Sequence, residues 1–236
     1  MRTRSRTPVI LGIIAAIACL GLSLLVIVGV IVGVVYLADQ GDEQRSAEGS
    51  PAAQETVAPP GIDEDQPYLE LSSGDGPVVD VYIDFLCPHC ATFSEAQTPD
   101  LVDLVEDEQI TLRMHPRAML DESAPAGYSS RAANAAVCAY AEDPGAWFPV
   151  QEALFENQPQ GADIDDDELI SLVEGAADVR VADCVTSGTY IPWLLEVVEP
   201  EASVAVSGTP TVLIDGEQFV GDLTRSGSLR EEIDAA

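Results

Sequence analysis

The chain has 236 residues, with 41 acidic side chains against ten basic ones and a formal net charge of −31. All ten basic residues are arginine. A surface this negative argues against a nucleic-acid backbone or an anionic lipid face as partner and for a heavily solvated exterior.

Residues 1–8 carry Arg2, Arg4 and Arg6, and an apolar segment at 9–38 follows. Its stretch Val9 to Leu37 holds no charge. As a helix it would run about 43 Å against a hydrocarbon core of about 30 Å, which predicts one transmembrane helix. Arginines before it and Asp39, Asp42 and Glu43 after it place the N-terminus in the cytoplasm and the rest outside. A cleaved signal peptide is the rival reading, but its apolar core spans only about 7 to 15 residues. Cys19 reads as a free thiol inside the segment, and Gly29 and Gly33 form a G-x-x-x-G that suits helix pairing.

Residues 39–66 are rich in Ala, Pro, Glu, Asp, Gly and Ser and show no apolar periodicity. They predict a flexible acidic linker with an end-to-end distance of about 30 Å. Asp63-Glu64-Asp65 lacks the glycine turn and terminal glutamate of a calcium loop and reads as a solvated face. Asp165-Asp166-Asp167-Glu168 lacks them too and reads as a helix N-terminus.

Residues 67–236 suffice for one domain with its own core. Val78 to Leu86 predicts a buried strand, followed by a helix through Phe93 and Ala96 and a continuation opened by Thr98-Pro99. A strand at 110–114 completes a β-α-β unit. Helices are then expected at 129–141, 147–157 and 165–177, with pieces from 181 to 206 broken at Gly188 and Pro192. Strands at 211–214 and 218–220, joined by the hairpin signal Asp215-Gly216, precede a helix at 229–233.

Cys87-Pro88-His89-Cys90 falls where the first strand meets its helix. There Cys87 faces unpaired backbone N–H groups and the positive end of the helix dipole, both of which favour thiolate over thiol. Thiol-disulfide exchange needs such an attacker and a second thiol to resolve the mixed disulfide, the place of Cys90. Pro88 suits the first helical turn, and His89 beside the sulfur adds to the stabilisation of the anion. The rival reading is half of a zinc site, but Cys19, Cys138 and Cys184 form no second C-x-x-C and His115 is the only other histidine. No metal and no cofactor are therefore expected.

Phe85-Leu86-Cys87-Pro88-His89-Cys90, Gly208-Thr209-Pro210-Thr211 with Val212 to Gly216 after it, and the helical stretch between them together resemble the DsbA-like extracytoplasmic thiol-disulfide oxidoreductases. The likeness is to the membrane-anchored actinobacterial members and covers about residues 77–233. It implies an α/β thioredoxin fold with a helical insertion at about 121–206. It also implies a cis bond between Thr209 and Pro210, with Thr209 pairing to an extended substrate chain. Relatives also hold a structural disulfide in the insertion. Cys138 and Cys184, two thiols on the oxidising side of the membrane, are the pair available for one, the alternative being two buried free cysteines.

One departure stands out. The buried acid that related enzymes carry six residues before the first cysteine is Val81 here. Asp84, three residues before, is the nearest substitute and reads more readily as a helix cap or a solvated side chain. The resemblance implies a thiol-disulfide oxidoreductase, an oxidase for exported proteins, with a quinone-linked membrane reoxidase as partner. An isomerase or reductase would use the same residues, and a metallochaperone binding through Cys87 and Cys90 is the reading from another class.

Overall fold

The computed structural model describes residues 56–235 apart from 124, 160 and 162, so the predicted anchor and most of the linker lie outside the described residues. Among the described residues no helix is long and apolar enough to cross a membrane.

Strands β1 (Leu69–Ser73), β2 (Val78–Asp84), β3 (Thr111–Arg117), β4 (Thr211–Ile214) and β5 (Glu217–Gln218) form one sheet in the order β1-β3-β2-β4-β5. β2 and β3 run parallel and the other pairs antiparallel. A parallel pair requires a crossover, and α1 (Pro88–Glu106) supplies it. The near-continuous apolar run of β2 follows from burial on both faces. Val79, Val81 and Ile83 join Leu112, Met114 and the α1 residues Phe93, Leu101 and Leu104 in the main core. Tyr82 packs instead with Ala202 and Val206.

The insertion runs through α2 (Tyr128–Glu142), α3 (Trp147–Glu156), α4 (Asp166–Ala176), α5 (Ala182–Ser187) and α6 (Ile191–Trp193). A π-helical turn, Leu194–Val198, then leads into α7 (Glu199–Ala205). Alanines 132, 133, 135, 136 and 139 are buried almost all round α2, which lets it serve as the insertion's central helix. Cys138 of α2 and Cys184 of α5 form a disulfide with Cα atoms 6.0 Å apart. The closing α8 (Ser228–Ile233) is tied to α1 by Gln97, whose amide donates to the carbonyls of Leu223 (3.0 Å) and Arg225 (2.7 Å).

Several boundaries differ from the sequence-based expectation for identifiable reasons. β2 stops at Asp84, because that residue turns the chain before Phe85 and Leu86 can extend the strand. β3 continues to Arg117, since His115 and Arg117 meet Asp80 and Glu199 inside the molecule. β1 was not expected. Only Leu69 of its five residues is buried, and the ladder skips Leu71 before resuming at Ser72, whose hydroxyl donates to Ile110 O and accepts from Leu112 N–H. β5 is shorter than expected and leaves Val220 exposed. Pro99 lies inside a single 19-residue helix rather than opening a second one. Its ring is exposed, so the carbonyl left without a partner one turn earlier can turn to water.

Residues 56–66, read from sequence as the end of the linker, lie on the domain. Trp193 Nε1 donates to the Gln66 carbonyl (3.1 Å), Thr56 bonds to Glu196, and Ala58 and Ile62 pack against the core. Such scattered contacts leave no periodic trace in the sequence.

Candidate active site

The strand-to-helix junction is built by Asp84, Cys87 and Pro88. The Asp84 carbonyl accepts from the Cys87 N–H (3.0 Å) and its Oδ1 from the Leu86 N–H (2.8 Å), which turns the chain. Pro88 takes the first helical position, where its missing N–H is no loss. Cys87 is the extended residue just before the helix (φ −72°, ψ 117°), and its carbonyl accepts from the N–H groups of Cys90 (3.0 Å) and Ala91 (3.3 Å). Its sulfur thus sits at the positive end of a 19-residue helix, and Cys90 lies one turn in, with no exposed surface.

This placement separates two chemically identical side chains. The Cys90 thiol donating to Cys87 is the largest influence on it; burial opposes, and the Thr209 side chain and the backbone N–H groups of Cys90 and His89 assist. Together they bring the Cys87 thiol down to about 5. Burial is the largest influence on Cys90 and pushes its thiol far up, reinforced by Cys87 beside it. The structure holds the pair as free thiols. The arrangement favours a thiolate at Cys87 and a retained proton on Cys90.

Against this pair stands the loop before β4. The Thr209–Pro210 peptide is cis, and the Cys87 thiol, when protonated, donates to the Thr209 carbonyl at 3.4 Å. The Thr209 hydroxyl in turn contacts Met119 Sδ at 3.7 Å. Cys87, Cys90, Thr209 and Pro210 are therefore brought together. His89 lends its backbone N–H to the Cys87 sulfur, and its side chain is exposed.

Asp84 corrects the sequence reading. It neither caps the helix nor meets solvent. It is fully buried, with Oδ1 accepting from the Ser129 hydroxyl (2.7 Å) and the Leu86 N–H and Oδ2 from the Leu120 N–H (3.0 Å). Three donors converge to offset the cost of burying a carboxylate. Burial still wins and pushes its carboxyl up to about 6, with the nearby Cys87 charge adding to the rise. Asp84 is the one acidic side chain among the described residues that is buried to this degree. Among those residues no group of three or more His, Cys, Asp or Glu stands ready to hold a metal ion.

Comparison with known proteins places this geometry. A family model described as Thioredoxin matches residues 74–235, well over half of the chain. The reduced crystal structure of DsbA from Mycobacterium tuberculosis is similar at 30% identity and a TM-score of 0.62, over 72% of this chain and 91% of that one. The chain belongs to the thioredoxin family as a DsbA-like thiol-disulfide oxidoreductase. Reduced DsbG, a disulfide bond oxidoreductase from the same organism, is 31% identical with a TM-score of 0.62, covering 72% of this chain and 88% of its own. MdbA, a thiol-disulfide oxidoreductase from Actinomyces oris, shares the fold at 24% identity and a TM-score of 0.64, over 80% of this chain and 94% of its own. Among curated sequences, the serine/threonine-protein kinase PknE of M. tuberculosis is 30% identical over 154 residues, 60% of this chain. The chain spans only 27% of that kinase's length.

The DsbA-like site also recruits residues with no signal in the sequence. Ser129 and Leu120 reach Asp84 from 45 and 36 positions away, and Gln158 reaches the carbonyls of Phe85 and Cys87 from 73 and 71 positions away. Each is an ordinary residue until the fold brings it there.

Proposed function

We propose that this DsbA-like protein is an oxidase, anchored in the membrane by residues 9–38, that gives its Cys87–Cys90 disulfide to reduced proteins exported across that membrane. In this reading a client thiolate attacks the Cys87 sulfur, forming a mixed disulfide and breaking the Cys87–Cys90 bond. The departing Cys90 sulfur takes up a proton, and Asp84 is the carrier. A second client thiolate then attacks the client sulfur of the mixed disulfide, the client leaves with its new bond, and Cys87 departs as a thiolate. Thr209 and Pro210 position the client strand beside the sulfur. Two electrons remain on the Cys87 and Cys90 pair, and a quinone-linked membrane oxidase of the kind associated with DsbA-like proteins removes them.

The observation that carries the oxidase direction is the asymmetry of the pair. A Cys87 thiolate stabilised by the helix, by Cys90 and by Thr209 is a good leaving group and stabilises the reduced form, so the disulfide is readily given away.

The test is equilibration of the full chain with glutathione buffers, followed by trapping of free thiols. The expected potential lies nearer the roughly −120 mV of DsbA-type oxidants than the roughly −270 mV of thioredoxin. Cys87→Ser should abolish exchange with a client, and Cys90→Ser should accumulate the mixed disulfide. A potential at the thioredoxin end would make the protein a reductase.

A further inference from the structure

We propose that Gln158, contributed by the helical insertion, is a positioning residue that sets the reactivity of Cys87. The inference rests on the reading of Cys87 as the exchanging sulfur.

The turn Phe85-Leu86-Cys87 is held by two residues of complementary kind. Asp84 takes its N–H groups, that of Leu86 on the carboxylate and that of Cys87 on the carbonyl. Gln158 takes its carbonyls: Nε2 donates to Phe85 O at 2.8 Å and to Cys87 O at 3.1 Å. One side-chain amide therefore links the Phe85–Leu86 and Cys87–Pro88 peptide units. Two effects on the sulfur follow. The Cys87 backbone is fixed at the φ and ψ that let the first-turn N–H groups reach its sulfur. The negative end of the Cys87 carbonyl dipole, on the same residue as the thiolate, is also answered by a neutral donor, which lowers its repulsion without adding a charge.

Gln158 can do this because its mount is rigid. It lies two residues beyond the end of α3, and α3 grips the same segment through side chains. The Phe85 ring lies 5.1 Å from that of Phe155 and 6.3 Å from that of Trp147. α3 is also fixed to α1. Trp147 Nε1 donates to Gln151 Oε1, and Gln151 Nε2 donates to the hydroxyls of Ser94 (3.0 Å) and Thr98 (3.1 Å), with all of Trp147, Gln151 and Ser94 buried. The insertion thus holds the strand end by the Phe85 ring, the helix by Ser94 and Thr98, and the turn between them by Gln158. A site carried on packed elements is held more tightly than one on a free loop.

The experiment titrates the Cys87 thiolate by its ultraviolet absorbance in the reduced full chain, comparing wild type with Gln158→Leu and Gln158→Glu. Near-ultraviolet dichroism checks that each variant is folded. Gln158→Leu should raise the Cys87 pKa by about one unit and shift the glutathione equilibrium about tenfold toward the disulfide form. Gln158→Glu sets a carboxylate against the two carbonyls, so exchange measured as a ratio to wild type at the same pH should be weakened more at pH 7 and recover in acid, where the protonated carboxyl donates again. A residue that only supports the fold would show no such recovery. Gln158→Asn, too short to reach both carbonyls, decides in place of any variant that does not fold. Folded variants in which Cys87 titrates and equilibrates as in wild type would overturn the proposal. A wild-type Cys87 in the ordinary thiol range would instead overturn the oxidase reading itself.

Discussion

Asp84 and Cys90 are both buried groups whose protonation burial favours, to different degrees. Cys90 is a thiol whose proton burial holds in place, and exchange at Cys87 requires that proton to leave and return. Asp84 is a carboxylate pushed up to about 6, close enough to neutrality to hold and release a proton near pH 7. The reverse half-reaction isolates the step, because Cys90 must lose its proton to expel glutathione from a Cys87–glutathione mixed disulfide. The expulsion rate should rise through about pH 6 in wild type and then level off. In Asp84→Asn that rise should vanish, and the rate at pH 7 should fall by roughly a hundredfold, the lower range for a positioned acid-base group. Loss of the bond to Leu120 would also occur in that variant, so the pH profile rather than the rate alone is the measurement. An unchanged profile would leave Asp84 as an anchor for Leu86, Leu120 and Ser129 only. Cys87 and Cys90 were legible in the sequence because their chemistry depends on residue type at fixed local spacing, and Thr209 and Pro210 were placed beside them by the family resemblance. The burial of Asp84 and the reach of Gln158 were not, because both depend on chain brought back from the far side of the insertion.

At the scale of elements, the same distinction explains which parts of the fold could be read. β2 and the helices of the insertion announce themselves through dense apolar patterns, while β1 offers one buried leucine and relies on Ser72 to bridge its irregular register. The hairpin was legible because Asp215 (φ 49°) and Gly216 (φ 81°) both occupy the left-handed region that a two-residue turn of this hand demands. The disulfide shows what the sequence leaves to the fold: parity suggested a bond, and the packing of α5 against α2 makes one. Closing a separation of 46 residues should stabilise the oxidised fold by up to about 4 kcal/mol through restriction of the unfolded chain. The double variant Cys138→Ala with Cys184→Ala avoids leaving a hydroxyl in a buried site. It should unfold at a lower denaturant concentration, by an amount equivalent to roughly 2 to 4 kcal/mol. Its glutathione equilibrium at Cys87 should stay as in wild type, since the bond lies outside the exchanging pair. An unshifted midpoint would show that the insertion is held by packing alone.

At the scale of the whole molecule, charge and redox state meet in stability. Residues after position 8 carry all 41 acidic side chains and only seven arginines, so most carboxylates have no arginine to pair with. Titration of these exposed groups is common to the reduced and oxidised forms and largely cancels when the two are compared. What remains is the pair. Cys87 has its folded pKa lowered to about 5, below the unfolded value of about 8.5. The stability it lends the reduced form is fully present above the unfolded value and is lost as pH falls through about 5. Cys90 has its folded pKa raised, so it contributes nothing to the difference at neutral pH. Above about pH 8.5 it opposes folding, because the unfolded chain can ionise it and the folded one cannot. The reduced protein should therefore unfold at higher denaturant than the oxidised one at pH 7. The gap should be on the order of 2 kcal/mol once solvent access to the Cys87 sulfur is allowed for. It should close toward pH 5, widen toward about pH 8.5 and narrow again beyond it as the unfolded chain ionises Cys90, with Cys138–Cys184 kept intact in both samples. Paired denaturant titrations across that range test this directly. An oxidised form as stable as the reduced one at pH 7 would mean that the Cys87 thiolate contributes nothing to the fold, and the oxidase direction would lose its driving force.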